Sequence, residues 1–187
     1  MPLLRESFFL IADNYHRQIY QTDEDIEHIR ALKFPPLDRP IGLTYDFVTD
    51  RVFWADYNTR VVRSMKLDGS DVKLLIGETK KSRIEGLAFD SDSQLLYYTD
   101  AGLDLVAVMS TFEKYHKVLV RNIVNPRAIV LDTTKGFVYF VCLTIAGVSE
   151  TSGHAVLVIW VTRSLCRQRD IYYTAVQVLN NRNILKI

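Results

Sequence analysis

A four-residue cell that recurs at nearly constant spacing constrains this chain more than any other feature. Phe53-Trp54-Ala55-Asp56 is followed 44 residues later by Tyr97-Tyr98-Thr99-Asp100, and after a further 42 by Tyr139-Phe140-Val141-Cys142. In that last copy the aromatic half persists and the Thr-Asp half is lost. Counting back 43 residues from the first copy reaches Leu10-Ile11-Ala12-Asp13, a degenerate cell near the N-terminus. Other positions keep the phase. Asp46, Asp90 and Asp132 each stand ten residues before the end of their cell, and Gly42, Gly86 and Ala128 stand four before those aspartates. Pro40, Ile84 and Pro126 lie just upstream.

A period of ~40–45 residues holding several short strands predicts the blade of a β-propeller. In the clearest unit the strand-like runs are 86–90, 95–100, 105–110 and 116–121, with turn signals between them. In the unit before, Asp68-Gly69-Ser70-Asp71 predicts a tight turn, because glycine adopts positive φ and aspartate bonds its own backbone. The reading is an all-β chain over residues 1–140, with cells ending near 13, 56, 100 and 142. Residues 141–187 form a divergent tail.

The cells, each preceded by Gly-Leu-x-x-Asp, resemble the Tyr-Trp-Thr-Asp (class B) repeats of the low-density lipoprotein receptor family. The resemblance runs over roughly residues 8–140, and the stretch 125–140 lies nearest to the family pattern. It implies an incomplete six-bladed propeller of about three blades, each a four-stranded antiparallel sheet, from the ectodomain of an endocytic receptor, a Wnt co-receptor or a nidogen-like matrix protein. A closed propeller at this period needs ~250 residues or more, against 187 here. The expectation is therefore a fragment or truncated product of a larger receptor. Similarity stops inside the most characteristic cell, so the tail is expected to be a divergent blade or to derive from a retained intron, a frameshift or an alternative terminal exon.

Trp54, Asp56, Tyr98, Asp100, Tyr139 and Phe140 read as scaffold. Large aromatics fill the wedge between sheets, and a buried carboxylate needs hydrogen-bond partners, expected here from an adjacent blade. A catalytic carboxylate pair fits poorly, since the aspartates repeat with the blade and point to separate places.

In propeller topology the connections from strand two to three and from strand four to the next strand one emerge at the same end. They carry Arg39, Lys80, Lys81, Arg83, Glu85, Asn122, Asn125 and Arg127 in the second class, and Tyr57, Asn58, Arg60 and Asp104 in the first. The resemblance implies that this face binds extracellular protein ligands beside EGF-like modules of a parent receptor. Tyr57 is the candidate anchor, and Arg60 or Arg83 the candidate partner of a ligand carboxylate.

Composition excludes other classes. With 23 basic and 22 acidic residues the chain offers no field suited to nucleic acid or an anionic membrane. No apolar run spans a bilayer, and the short run at 8–12 is not a convincing signal peptide. Cys142 and Cys166 form no metal pattern and are expected as thiols. The four histidines are scattered, with His116 expected at a strand edge. Thr22-Asp23-Glu24-Asp25 with Glu27 reads as a solvated loop without calcium-loop spacing. No cofactor, metal or enzymatic site is expected. The alternatives are a lactonase-like propeller hydrolase, which needs Glu, Asn and Asp ligands converging on a central channel, and a product with no autonomous role.

Overall fold

The computed structural model describes residues 7–23, 25–113, 115–142, 144–145, 156–161 and 176–179. The described residues form antiparallel β-sheets joined by turns, with no helix among them. The chain divides into two compact units, Met1–Ile84 and Glu85–Ile187.

The first unit opens with β1 (Phe8–Asp13), β2 (Gln18–Asp23) and β3 (Arg30–Ala31), paired in that order. The next sheet comprises β4 (Pro40–Asp46), β5 (Arg51–Asp56), β6 (Val61–Lys66) and β7 (Lys73–Ile76), again in sequence order. On β5 every residue after Arg51 is buried. Both faces of the strand are covered, so its sequence reads as a continuous apolar run instead of an alternation. The core draws on both sheets: Ile19, Leu32, Leu37, Val52, Trp54, Met65 and Leu67 pack together. Trp54 is fully buried and meets Phe34 edge-on, with ring centroids 4.8 Å apart. It fills the wedge as expected of the cell's second aromatic.

The second unit begins with β8 (Ile84–Asp90), β9 (Leu95–Asp100), β10 (Leu105–Ser110) and β11 (His116–Arg121), four strands in sequence order. His116 opens the outermost strand. The short strands β12 (Ile123–Val124) and β15 (Thr144–Ile145) pair with each other. A further sheet contains β13 (Ile129–Asp132), β14 (Phe137–Cys142), β16 (Val156–Val161) and β17 (Val176–Leu179). The core of this unit packs together Tyr97, Val106, Val108, Leu119, Ile123, Val138, Phe140 and Cys142. Tyr139 is half-buried and Phe140 buried.

Every described hairpin that follows a repeating aspartate is closed in one way. The carboxylates of Asp13, Asp56, Asp90 and Asp100 each accept the backbone N–H groups two and three residues on, at 2.9–3.4 Å. Asp46 does the same with Val48 and Thr49, and Asp132 accepts the Lys135 N–H and the Thr134 hydroxyl. Four residues after each aspartate the backbone turns left-handed: Arg17, Asp50, Arg60, Gln94 and Asp104 have φ of 52–56°, and Gly136 has φ of 71°. In each case the carboxylate holds its own turn. The expected turn at 68–71 is also present, with Gly69 at φ 92°.

The last sheet departs from this rule where the cell fails. Asp56 pairs with Val61 and Asp100 with Leu105 across four-residue turns. Cys142 stands in the same place, and its partner in the ladder is Val156. No carboxylate stands here to hold a four-residue turn, and β14 and β16 are 14 positions apart in sequence at this pair, from 142 to 156. Burial pushes the Cys142 thiol above its ordinary value. Strands β16 and β17 carry the sheet's backbone pairing into the segment expected to be divergent. Cys166 and the Tyr172-Tyr173-Thr174 echo lie outside the described residues.

Candidate ligand-binding face

In the antiparallel sheet β4–β7, the turn between β5 and β6 lies at the same end as the segment leading into β4 and the one leaving β7. Topology alone therefore brings Arg39, the 57–60 turn and the 77–83 loop to one end, and puts the 47–50 turn at the other.

Asp56 organises this end. Its side chain is 2% exposed and accepts four backbone N–H groups. Oδ2 takes those of Asp38 at 2.7 Å and Arg39 at 3.1 Å, and Oδ1 those of Asn58 at 3.2 Å and Thr59 at 3.1 Å. Burial raises this carboxyl, but the backbone donors outweigh it and hold the group below its ordinary value. For Asp56 the expectation that partners come from an adjacent blade is corrected: its backbone donors lie in its own turn and in the lead-in to its own sheet. Both segments are close in sequence, so holding them costs little loop entropy.

Around this anchor the guanidinium carbon of Arg39 lies 4.7 Å from the centroid of the Tyr57 ring, and that of Arg83 lies 5.8 Å from it. The Tyr57 N–H donates to the Arg39 carbonyl at 2.9 Å, which fixes the ring's backbone beside the first arginine. Arg60 donates to the Lys80 carbonyl at 2.6 Å and so ties the 77–83 loop to the turn. Arg39, Asn58, Lys80, Lys81 and Arg83 are exposed, while Tyr57 and Arg60 are half-exposed.

The second unit treats the equivalent positions differently. Arg127 pairs with Glu85 at 2.6 Å, and Glu85 is nearly covered. The Asp104 carboxylate accepts the Asn125 N–H at 3.2 Å, and its carbonyl accepts the Ile123 N–H at 3.2 Å. Glu85, Asp104 and Arg127 thus serve their own loops first. Tyr98 is buried, and its hydroxyl meets His116 Nε2 at 2.5 Å. Burial, with the Asp100 charge, pushes the Tyr98 hydroxyl up to about 12, so it stays protonated.

Two features were not visible in the sequence reading. The Thr99 hydroxyl accepts the Gly86 N–H at 2.9 Å and donates to the Arg127 carbonyl, bridging β8 to the lead-in of β13. A Cβ on Gly86 would fall 2.2 Å from that carbonyl. The stacking of two arginines on one tyrosine was also missed, although Arg39 and Arg83 stand 44 residues apart, one repeat. That spacing was the available signal. In the acidic stretch, the Asp23 carboxylate accepts from the Glu27 N–H at 2.9 Å and contacts His28 Nδ1 at 2.6 Å, as a closed loop would. Among the described residues no group of three or more His, Cys, Asp or Glu side chains is placed to hold a metal ion, and no helix is long and apolar enough to cross a membrane.

No known protein-family profile matches the chain. Individual relatives do. Nidogen of Drosophila melanogaster is 37% identical over 82 residues, 44% of this chain and 6% of that protein. The vitellogenin receptor of Solenopsis invicta is 24% identical over 109 residues, 58% of this chain and 6% of the receptor. A human low-density lipoprotein receptor-related protein 5-like protein is 32% identical over 91 residues, 48% of this chain and 36% of that protein. The chain thus spans a small part of the relatives it matches. Among solved structures, a chain of a nidogen–laminin complex superposes with a TM-score of 0.69 at 22% identity, over 82% of this chain and 57% of its own. The repeating cells, the sheets of four sequential antiparallel strands and these relatives together make this chain an incomplete β-propeller of the low-density lipoprotein receptor class B repeat type.

Proposed function

We propose that this chain is a non-enzymatic protein-binding module of a lipoprotein-receptor-like ectodomain, of endocytic or Wnt co-receptor type, working outside the cell beside EGF-like modules. The observation that carries this reading is the arrangement around Asp56. A buried carboxylate fixes a turn and a lead-in segment, and these present arginine and tyrosine side chains at one end of a rigid sheet. Exposed aromatic and arginine side chains on an ordered scaffold are the usual anchors of protein interfaces. The relatives named above include receptors, and one solved relative is seen in complex with laminin.

The test places an N-linked glycan on each end of the same sheet. Lys80→Asn creates an Asn-Lys-Ser acceptor on the proposed face, and Phe47→Asn creates an Asn-Val-Thr acceptor on the opposite turn; both positions are exposed. Secreted glycoforms are compared with the unmodified chain against purified extracellular matrix and secreted signalling proteins, laminin included. At least one protein should bind the unmodified chain and the Phe47→Asn form equally, and the Lys80→Asn form at least tenfold more weakly. Absence of any ligand, or loss confined to the Phe47→Asn form, removes the face.

A further inference from the structure

We infer that Lys80 and Lys81 form a processing site, at which a trypsin-like serine protease cuts the chain next to the boundary of its two compact units. Such an enzyme reads a lysine or arginine through an acidic pocket and takes the residues around the cut as accessible, extended backbone. The loop between β7 and β8 supplies both. Gly77, Glu78, Thr79, Lys80 and Lys81 are five successive exposed residues outside any strand. The boundary between the units, at Ile84 and Glu85, lies just beyond the paired lysines. Exposed polar linkers of this kind are where compact units of a chain part.

Basic residues elsewhere in the first unit are less open to such an enzyme. Arg51, Arg63 and Lys66 lie within strands, whose ladders hold the backbone away from a protease cleft. Arg17 and Arg60 have φ of 55° and 56°, a left-handed backbone where the cleft needs an extended one. Arg39 precedes Pro40, which has no N–H and a fixed φ.

The loop also carries a latch. Ser82 is buried, so the segment must lift locally before the bond after Lys81 can enter a cleft. Arg60 opposes this, because its Nη1 donates to the Lys80 carbonyl at 2.6 Å and ties the loop to the 57–60 turn. Where opening is fast relative to cutting, the rate follows the population of the open form, and Arg60 sets that population. In the cut itself the protease serine attacks the Lys81 carbonyl and the Lys81–Ser82 amide breaks. The serine's proton passes through the protease histidine to the Ser82 nitrogen, and water then releases Lys81 as a carboxylate. Residues 1–81 keep β1–β7 and the core around Trp54, and residues 82–187 keep β8–β17 and the core around Phe140. The cut needs no ligand at the candidate face.

The experiment digests the full 187-residue chain with limiting trypsin and follows new N-termini by mass spectrometry, scored over residues 7–142. An N-terminus at Ser82, with or without one at Lys81, should appear about tenfold faster than any other. Lys80→Gln with Lys81→Gln should remove it. Arg60→Gln should speed it about fivefold, the effect of one lost hydrogen bond on the open population, and leave the other positions unchanged. Lys66→Gln with Lys73→Gln, an equal charge change on strands of the same sheet, should leave the Ser82 rate as it is. Cutting within β4, β5 or β6 as early as in the loop overturns the proposal. So does a loop that is cut only at the temperature where circular dichroism shows the whole chain melting, or an Arg60→Gln form cut no faster than the parent.

Discussion

Thr99 shows how much of a repeat cell's meaning can reside in one hydroxyl. It accepts from Gly86 and donates to the Arg127 carbonyl, so two backbone groups of neighbouring sheets depend on it. Thr99→Val keeps the shape and removes both bonds, leaving a buried N–H and a carbonyl without this partner. The expected cost is about 2 kcal/mol in chemical denaturation. Gly86→Ala should cost at least as much, since a Cβ 2.2 Å from a backbone carbonyl forces the lead-in segment away. A Thr99→Ser variant that keeps the hydroxyl should lie within about 1 kcal/mol of the parent. Val as mild as Ser would show that the bridge contributes nothing. Position 55 carries alanine in the preceding cell and so has no hydroxyl to make such a bridge.

At the scale of the element, the hairpin is the repeating device, and its chemistry is set by an aspartate and a left-handed residue four positions on. Arg17 illustrates the strain: it sits at φ 55° with its side chain exposed and a surface carboxylate, Asp38, 3.5 Å away. Such a pair contributes ~0–1 kcal/mol, while positive φ disfavours any residue with a Cβ. Arg17→Gly should therefore leave stability unchanged or raise it by up to ~0.5 kcal/mol, and Arg17→Val should lower it by about 1 kcal/mol. The opposite order in thermal melts would remove left-handed strain as the controlling factor.

This device marks the boundary of what the sequence disclosed. The strands 95–100, 105–110 and 116–121 were legible because apolar and β-branched runs stand between obvious turn residues. The left-handed positions were not, since Arg17, Arg60 and Gln94 are poor turn signals and only Gly136 advertises its φ. The aspartates were legible as scaffold, but their partners were not: a backbone N–H leaves no trace in sequence, so a local turn and a distant blade look alike. The short strands β3, β12 and β15 also escaped, being two residues each. The position of the candidate face followed from topology. The stacking of Arg39 and Arg83 on Tyr57 needed coordinates, because the repeat phase shows equivalence and not contact.

On the scale of the whole molecule, each unit has its own core, and Trp54 is the largest fully buried side chain among the described residues. Trp54→Ala should cost about 3–5 kcal/mol, a large share of a domain's total stability, and show as reduced soluble yield. Acid stability tests a different contribution. The folded-state pKa of Asp56 lies below its ordinary value of 3.8, because backbone donors outweigh burial. A group with a depressed folded pKa contributes stability that is complete above the unfolded-state value and is lost as pH falls through the folded one. Asp56→Asn keeps an acceptor but removes the charge, so it should be less stable than the parent by about 1–2 kcal/mol at pH 7 and pH 5 alike. Below about pH 4 Asp56 of the unfolded parent begins to protonate while the folded protein keeps its carboxylate ionised to lower pH, and the difference between the two urea midpoints should shrink toward zero by the time the folded pKa is passed. The exposed turn carboxylates of Asp13, Asp68 and Asp132 are also held low by local hydrogen bonds, but both proteins share them, so they cancel in the comparison. A gap that stays constant or widens on acidification would mean that the charge on Asp56 does not hold the turn and the lead-in segment together.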